Sequence, residues 1–153
     1  MFLIANTGTL VYQFDLSTPW DTSTISFSAK YNITSESQLR TITFKPDGTR
    51  MYVSGSNKDK LKEYELTTPW DITTSNVTVG KTSASLASAD DSMRNVQFNS
   101  TGTELYIGGN ENNNMNKYTL STAWDISTIS STFTTYTLGG TTHEDMRLSL
   151  IHI

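Results

Sequence analysis

The chain has 153 residues, a net charge of −4 at pH 7, 35% hydrophobic residues and no cysteine. Charges of both signs are scattered without a basic stripe, which argues against nucleic-acid binding. The lack of cysteine excludes disulfides, thiol chemistry and cysteine-ligated zinc sites. No apolar run approaches the roughly 20 residues of a membrane-spanning helix, so no membrane partner is expected. Abundant Thr, Tyr, Val and Ile for strands, with Ser, Asn, Asp and Gly for turns, predict an all-β protein.

A four-residue motif occurs three times along the chain. It reads Thr-Pro-Trp-Asp at residues 18–21 and 68–71, and Thr-Ala-Trp-Asp at residues 122–125. Successive tryptophans in it are 50 and then 54 residues apart, and they are the three tryptophans of the chain. A period of about 40 to 55 residues in a strand-rich chain is typical of β-propeller blades.

The first repeat begins part-way through a unit. Residues 1–5 align with residues 51–55, which form the second strand of the next unit. Phe14 and Leu16 then align with Tyr64 and Leu66 of a third strand. We therefore expect that the innermost strand of this first unit is missing.

The middle repeat is the most complete. Residues 39–44 alternate between polar and apolar side chains, as a half-buried strand does, and Asp47-Gly48 predicts a hairpin turn after it. Further strands are predicted at residues 51–55 and 61–66 and from residue 76 to residue 80, with the Trp-Asp connector between the last two.

The third repeat starts at residue 93 and ends near Met146-Arg147, which repeats Met93-Arg94. The following residues 148–153 resemble the translation of a sequencing-library transposon end, and we interpret them as a non-native tail; a native apolar tail is the alternative. Residues 1–147 are thus predicted to form a partial β-propeller of about two and a half four-stranded antiparallel blades. Blade breaks fall near residues 39 and 93, and the array is truncated at both ends.

Two segments of the middle repeat carry a family resemblance. Phe-x-Pro-Asp-Gly-Thr-x-Met-Tyr-Val at residues 44–53, followed by Leu-x-x-Tyr-x-Leu at residues 61–66, resembles the blades of YVTN- and NHL-like β-propellers. The added Trp-Asp connector is similar to a repeat of phage and marine environmental sequences. The resemblance implies a fold but no single function, because propellers include lactonases, dehydrogenases, adhesins and scaffolds.

The repeated tryptophans and aspartates permit two interpretations. The functional one is a stacking platform for sugars or bases. We favour the structural one, in which proline presets a turn, the aspartate accepts a hydrogen bond from the backbone two residues on, and the tryptophan covers the apolar face between blades. The residues concerned are Trp20, Asp21, Trp70, Asp71, Trp124 and Asp125.

Three arginines share one repeat position at the start of the innermost strand, and acidic residues precede each of them. Loops entering the innermost strand of a propeller lie at the mouth of its central channel, so a ring of arginines and carboxylates is expected there. An anion or ligand site is one interpretation; ion pairs that fix the register of the blades are the one we favour. The candidates are Arg40, Arg94, Arg147, Glu36, Asp90, Asp91, Glu144 and Asp145.

Catalytic motifs are not found in the sequence. His143 is the one histidine outside the tail, and there is no phosphate loop or nucleophile elbow. We therefore predict a non-catalytic binding or structural segment of a larger secreted or phage virion protein, with no cofactor and an extracellular or virion location. A protein or carbohydrate surface is the expected partner, and open blade edges favour self-association. The alternative is a fragment of a propeller enzyme of the lactonase or dehydrogenase type, with its catalytic ligands in other blades.

Overall fold

The computed structural model describes residues 1–5, 8–55, 60–86, 93–109 and 114–137. Within these residues the protein is all-β, and its eleven strands form three antiparallel sheets in chain order. The sheets have three, four and four strands, and the predicted fold class is thus confirmed. We refer to them as blade 1, blade 2 and blade 3.

Each blade is a meander in which consecutive strands pair. Blade 1 contains β1 (Phe2–Ile4), β2 (Leu10–Leu16) and β3 (Ile25–Asn32). Blade 2 contains β4 (Leu39–Phe44), β5 (Arg50–Gly55), β6 (Lys62–Leu66) and β7 (Val77–Thr82). Blade 3 contains β8 (Met93–Phe98), β9 (Glu104–Gly109), β10 (Asn114–Leu120) and β11 (Ile129–Thr137).

The outer strand of blade 2 starts later than predicted. Residues Thr74–Asn76 form a single 3-10 turn, and the Asn76 amide donates to the Thr73 carbonyl at 2.9 Å. Those backbone groups are used within the turn, so the ladder begins at Val77. Equivalent turns precede β3 and β11, at Thr22–Thr24 and Ile126–Thr128.

The hydrophobic core lies between blades rather than inside one. Alternate residues of β5 point to opposite neighbours: Met51 and Val53 are buried towards blade 1, whereas Tyr52 is buried towards blade 3. This two-residue period follows from the pleat of a strand. The neighbouring blades therefore cover both faces of blade 2.

The inner hairpin turns require glycine. Gly48 and Gly102 have φ of +74° and +72°, a backbone region that side chains other than glycine rarely adopt. The Gly48 amide donates to the Lys45 carbonyl at 2.9 Å, and Gly102 makes the equivalent bond to Asn99 at 3.1 Å. These turns place β5 and β9 beside the inner strands of their blades.

Candidate functional site

The Trp-Asp connectors are tight turns with tryptophan in an unusual conformation. In each, the aspartate amide donates to the carbonyl of the threonine three residues before it, at 3.1 to 3.2 Å. The tryptophan between them has positive φ: 66° at Trp20, 64° at Trp70 and 63° at Trp124. Glycine or asparagine is the usual residue at such a position, so a tryptophan there needs a compensating contact. Nothing in the repeat pattern of the sequence predicts this conformation.

The glycine turn of the same blade provides that contact for Trp70 and Trp124. A Cβ atom on Gly48 would lie 2.3 Å from Nε1 of Trp70, and one on Gly102 would lie 2.3 Å from Nε1 of Trp124. The Trp70 amide also donates to the Gly48 carbonyl at 3.0 Å. The indole therefore lies directly on the glycine and joins the connector to the inner hairpin.

Trp20 differs from the other two. Trp20 is 97% exposed, because the described part of blade 1 has no strand before β1 and therefore no counterpart of the Gly48 turn for the indole to cover. The prediction that each tryptophan covers an apolar face between blades is therefore wrong for Trp20. For Trp70 and Trp124 the aromatic contacts agree with it.

Those contacts form the same trio at both blade boundaries. Phe2 of blade 1 lies 4.4 Å from Phe44, whose ring lies 5.3 Å from Trp70. At the next boundary Tyr52 of blade 2 lies 4.7 Å from Phe98, whose ring lies 5.1 Å from Trp124, all as distances between ring centroids. The repeated aromatic residues thus serve packing between blades.

The connector aspartates accept backbone hydrogen bonds. The Asp21 Oδ1 accepts from the Ser23 amide at 3.0 Å, and Asp71 and Asp125 make the equivalent contacts at 2.8 and 3.0 Å. Asp125 also pairs with Lys81 of blade 2. That bond with Lys81, together with Ser127, lowers the pKa of Asp125 to about 2. These carboxylates are engaged inside the connectors and between the blades.

A charged pair behind the second strand is reversed between blades 2 and 3. Arg50 lies 3.7 Å from Glu63 in blade 2, whereas Glu104 lies 3.0 Å from Lys117 at the equivalent positions of blade 3. Burial raises the pKa of Glu63, whose side chain is fully enclosed. The 54-residue offset between the repeats aligns Arg50 with Glu104 and Glu63 with Lys117, so this reversal can be read from the sequence.

Arg50 and Tyr52 also attach blade 2 to the next connector. The Arg50 guanidinium donates to the Trp124 carbonyl at 3.1 Å, and the Tyr52 hydroxyl donates to the same carbonyl at 2.7 Å. Between blades 1 and 2 the Ile72 amide donates to the Gln13 side chain at 3.0 Å. The connectors of blades 2 and 3 are therefore held by the preceding blade as well as by their own.

The predicted arginine position lies at the other end of the blades. Arg40 and Arg94 are both half-buried and stand at the second position of β4 and β8, two inner strands that contact each other. Arg40 donates to the Gln38 side chain at 3.1 Å. The buried Nε of Arg94 has no hydrogen-bond partner among the described residues.

Glu36 is built into the loop before β4. Its side chain is buried, lies 3.4 Å from Lys62 of the third strand, and would meet a Cβ on Gly55 at 2.5 Å. Lys62 is thus a partner that sequence reasoning missed. The remaining predicted members of the ring lie outside the described residues: Asp90, Asp91, Glu144, Asp145 and Arg147. His143 and the tail at residues 148–153 also lie outside them.

Among the described residues no group of three metal-binding side chains comes together. No helix in the described part of the chain is long and apolar enough to cross a membrane. A cleft of about 180 Å³ lies between blades 2 and 3, at the connector end, with Phe44, Phe98 and Trp124 in its wall.

Comparison with solved structures gives similar folds at low identity. A proposed 6-phosphogluconolactonase from Bacteroides fragilis matches 84% of this chain with a TM-score of 0.55 and 15% identity. Sqt1 from Chaetomium thermophilum matches 92% with a TM-score of 0.52 and 16% identity. Sqt1 in complex with the N-terminus of the ribosomal protein L10 matches 92% with a TM-score of 0.50 and 15% identity. The match covers 33%, 33% and 35% of those chains, so this chain spans about a third of their length.

The fold is that of a partial β-propeller. No protein-family model and no curated protein matches the chain. At identities of 15 to 16% the likeness concerns the fold alone. The end of the blades that carries Arg40 and Arg94 is the candidate functional site, and we call it the channel-mouth face after the place expected for it in the sequence analysis.

Proposed function

We propose that this chain is a non-catalytic binding segment of a larger β-propeller protein, and that it binds an acidic protein segment at the channel-mouth face. The observation that carries the proposal is the shared position of Arg40 and Arg94. They occupy the same register in two contacting inner strands, and both are partly accessible to solvent. Two guanidinium groups at one end of a blade pair suit carboxylates, which they bind through planar, paired hydrogen bonds.

The use of the other repeated residues supports this choice. The tryptophans of blades 2 and 3 stack on glycine turns, and the connector aspartates accept backbone hydrogen bonds. They are therefore poor candidates for a sugar- or base-stacking platform. Sqt1, which has a similar fold, is seen bound to the N-terminus of a ribosomal protein, and this is a precedent for a protein segment as the partner.

The proposed setting is a secreted or phage virion protein with YVTN- or NHL-like blades. Exposed faces rich in Ser and Thr, such as the outer strands β3 and β11, favour an extracellular or virion surface. A carbohydrate is the alternative partner on such a polar face. Sequencing the complete reading frame tests the setting, because a signal peptide or an adjoining tail-fibre segment is expected.

Binding of labelled oligopeptides tests the function directly. Fluorescence anisotropy should show that oligoglutamate binds and oligolysine does not, with weakening as salt screens the contacts. Arg40→Gln and Arg94→Gln should each weaken binding about tenfold, the worth of one hydrogen bond to a charged group. The matched control is Lys30→Gln combined with Lys45→Gln, because it removes the same charge from the outer strand β3 and from the turn after β4. Equal weakening in the control and in the chain that carries Arg40→Gln and Arg94→Gln together would contradict the proposal.

The rival function is lactone hydrolysis, since one structural neighbour is a proposed 6-phosphogluconolactonase. It predicts turnover of 6-phosphogluconolactone above the rate without protein. We expect no turnover by the chain, with or without added divalent cations. Turnover that is lost in Arg40→Gln would replace the binding proposal with an enzymatic one.

A further inference from the structure

We propose that the cleft between blades 2 and 3 is a second binding site, and that it takes one uncharged pyranose unit of a sugar. The cleft has a volume of about 180 Å³, and residues at the ends of β4 and β8 line it. Thr43 in its wall follows Arg40 by three residues along β4, which is roughly 10 Å of extended strand. The site is therefore separate from the channel-mouth face and independent of the proposed peptide binding.

The two walls of the cleft consist of equivalent residues from neighbouring blades. At the offset of 54 residues Thr43 of β4 corresponds to Gln97 of β8, and Phe44 corresponds to Phe98. The strands β4 and β8 contact each other, so the cleft follows their shared boundary. The turns after these strands add Pro46, Asn99 and Ser100 to the lining. The cleft is therefore built by the packing of two blades.

The described lining of the cleft contains no charged side chain. Lys45 lies in the turn after β4 but pairs with Asp47 at 2.7 Å, and Asn99 stands at the position of this lysine in blade 3. A charged ligand would lose water in the cleft without gaining a partner of opposite charge, and that loss is costly. The lining therefore favours an uncharged ligand, in contrast to the channel-mouth face.

Three polar residues of the lining have hydrogen-bonding groups available for a ligand. The side chains of Thr43, Gln97 and Ser100 make no hydrogen bond to any described residue. Asn99 is different, because its Oδ1 accepts from two backbone amides of its own hairpin at 3.0 and 3.1 Å. Two hydroxyls and a primary amide can both donate and accept, as the hydroxyl groups of a sugar do. This mixture suits a ligand that carries several hydroxyls.

The apolar wall of the cleft is held in place before any ligand binds. Phe98 is 6% exposed, and the Trp124 indole lies on Gly102. The Trp124 carbonyl accepts hydrogen bonds from Arg50 and Tyr52. Trp124 is thus a fixed wall rather than a stacking platform, and a fixed wall lowers the ordering cost of binding.

The size of the cleft limits the ligand to one ring. Its volume of about 180 Å³ is smaller than the roughly 300 Å³ at which pockets for drug-sized ligands begin. A pyranose ring combines an apolar face for Phe44 and Phe98 with hydroxyls for the polar residues. We therefore expect a single sugar unit, either free or at the end of a glycan.

An NMR titration of the isotope-labelled full chain tests the proposal. The probes are the methyl pyranosides of glucose, galactose and mannose, and N-acetylglucosamine. At least one should bind saturably with a dissociation constant on the order of 1 mM, because the ligand is small and its hydrogen bonds are few. Shift changes should concentrate at the ends of β4 and β8 and at the side-chain amide of Gln97. Cyclohexanol, a ring with one hydroxyl, should bind at least about tenfold more weakly.

Three substitutions each remove one hydrogen-bonding group from the cleft: Thr43→Val, Gln97→Met and Ser100→Ala. Each should raise the dissociation constant about fivefold, the worth of one neutral hydrogen bond. Ser100 lies in an exposed turn, so its substitution does not disturb the fold. Thr78→Val is the matched control, because it makes the same change as Thr43→Val on the exposed outer strand β7 and should have no effect. Saturating oligoglutamate should also leave the sugar affinity unchanged.

Four results would overturn the proposal. They are the lack of saturable binding by all four sugars, shift changes that concentrate on the outer strands, cyclohexanol binding as tight as that of the sugars, and equal weakening by Thr78→Val and Thr43→Val. Tighter binding of oligoproline at the same residues would assign the cleft to a peptide instead. None of these results bears on the arginines of the channel-mouth face, so the two proposals fail or succeed separately.

Discussion

Trp70 stands where a side chain on Gly48 would have to be. A Cβ atom at Gly48 would lie 2.3 Å from the indole Nε1, and the same distance recurs between Gly102 and Trp124. The glycine is needed twice, once for its positive φ and once for the space it leaves. The contact between the indole and Gly48 compensates for the strained backbone of Trp70, which has a positive φ. This pairing connects the turn after a blade's first strand to the connector before its last strand.

Gly48→Ala should lower the free energy of unfolding by about 3 kcal/mol, because a methyl group adds both backbone strain and a clash with the indole. Urea unfolding followed by tryptophan fluorescence measures it. Gly8→Ala is the matched control, since the nearest atom to its Cβ would be 3.8 Å away, an ordinary contact. A loss as small at Gly48 as at Gly8 would show that the indole is not seated on the turn.

Asparagine in place of tryptophan should have different effects on stability in blades 1 and 3. Asn tolerates positive φ, so Trp124→Asn relieves strain but loses the stacking, and it should cost about 2 kcal/mol. Trp20→Asn loses almost no burial, because Trp20 is 97% exposed, and it should be neutral or slightly stabilising. Thermal unfolding of dilute samples measures the change in stability of both variants. Equal losses at both positions would count against the glycine contact as the source of the difference.

Glu63→Gln should stabilise the protein at neutral pH. Burial raises the pKa of Glu63 above its usual 4.5, so the charged form costs free energy in the folded state. The contribution of Glu63 to the free energy of unfolding is fully present below the pKa of this carboxyl in the unfolded chain. It is lost as the pH rises through its pKa in the folded protein. The neutral amide avoids that loss, and urea midpoints of variant and unmodified chain should converge near pH 4. A variant that is less stable at pH 7 would show that the Arg50 pair outweighs the cost of burial.

Asp125 should have the opposite dependence on pH. Its folded pKa is lowered to about 2 by Lys81 and Ser127, below an unfolded value of 3.8. The stability that it contributes is present above pH 3.8 and is lost as the pH falls through 2. Asp125→Asn should therefore be less stable near neutral pH and show a shallower loss in acid. An unchanged acid profile would mean that the contact between Lys81 and this connector contributes nothing.

The sequence predicts the strands well because blade packing is repeated. Alternation along residues 39–44 and the Asp47-Gly48 turn are local signals, and β4 (Leu39–Phe44) has the predicted limits. The Glu36–Lys62 contact is not local, since it depends on how a loop meets the third strand. The positive φ of the tryptophans was missed because turn preferences point to glycine there, and only the tertiary stacking overrides that preference.

The most direct test of the channel-mouth proposal is an NMR titration of the isotope-labelled chain with oligoglutamate. We expect the amide shift changes to concentrate at the starts of β4 and β8, around Arg40 and Arg94, and to saturate together. Shifts that instead concentrate near Lys30 and Lys45, or that scatter over the surface without saturating, would contradict it.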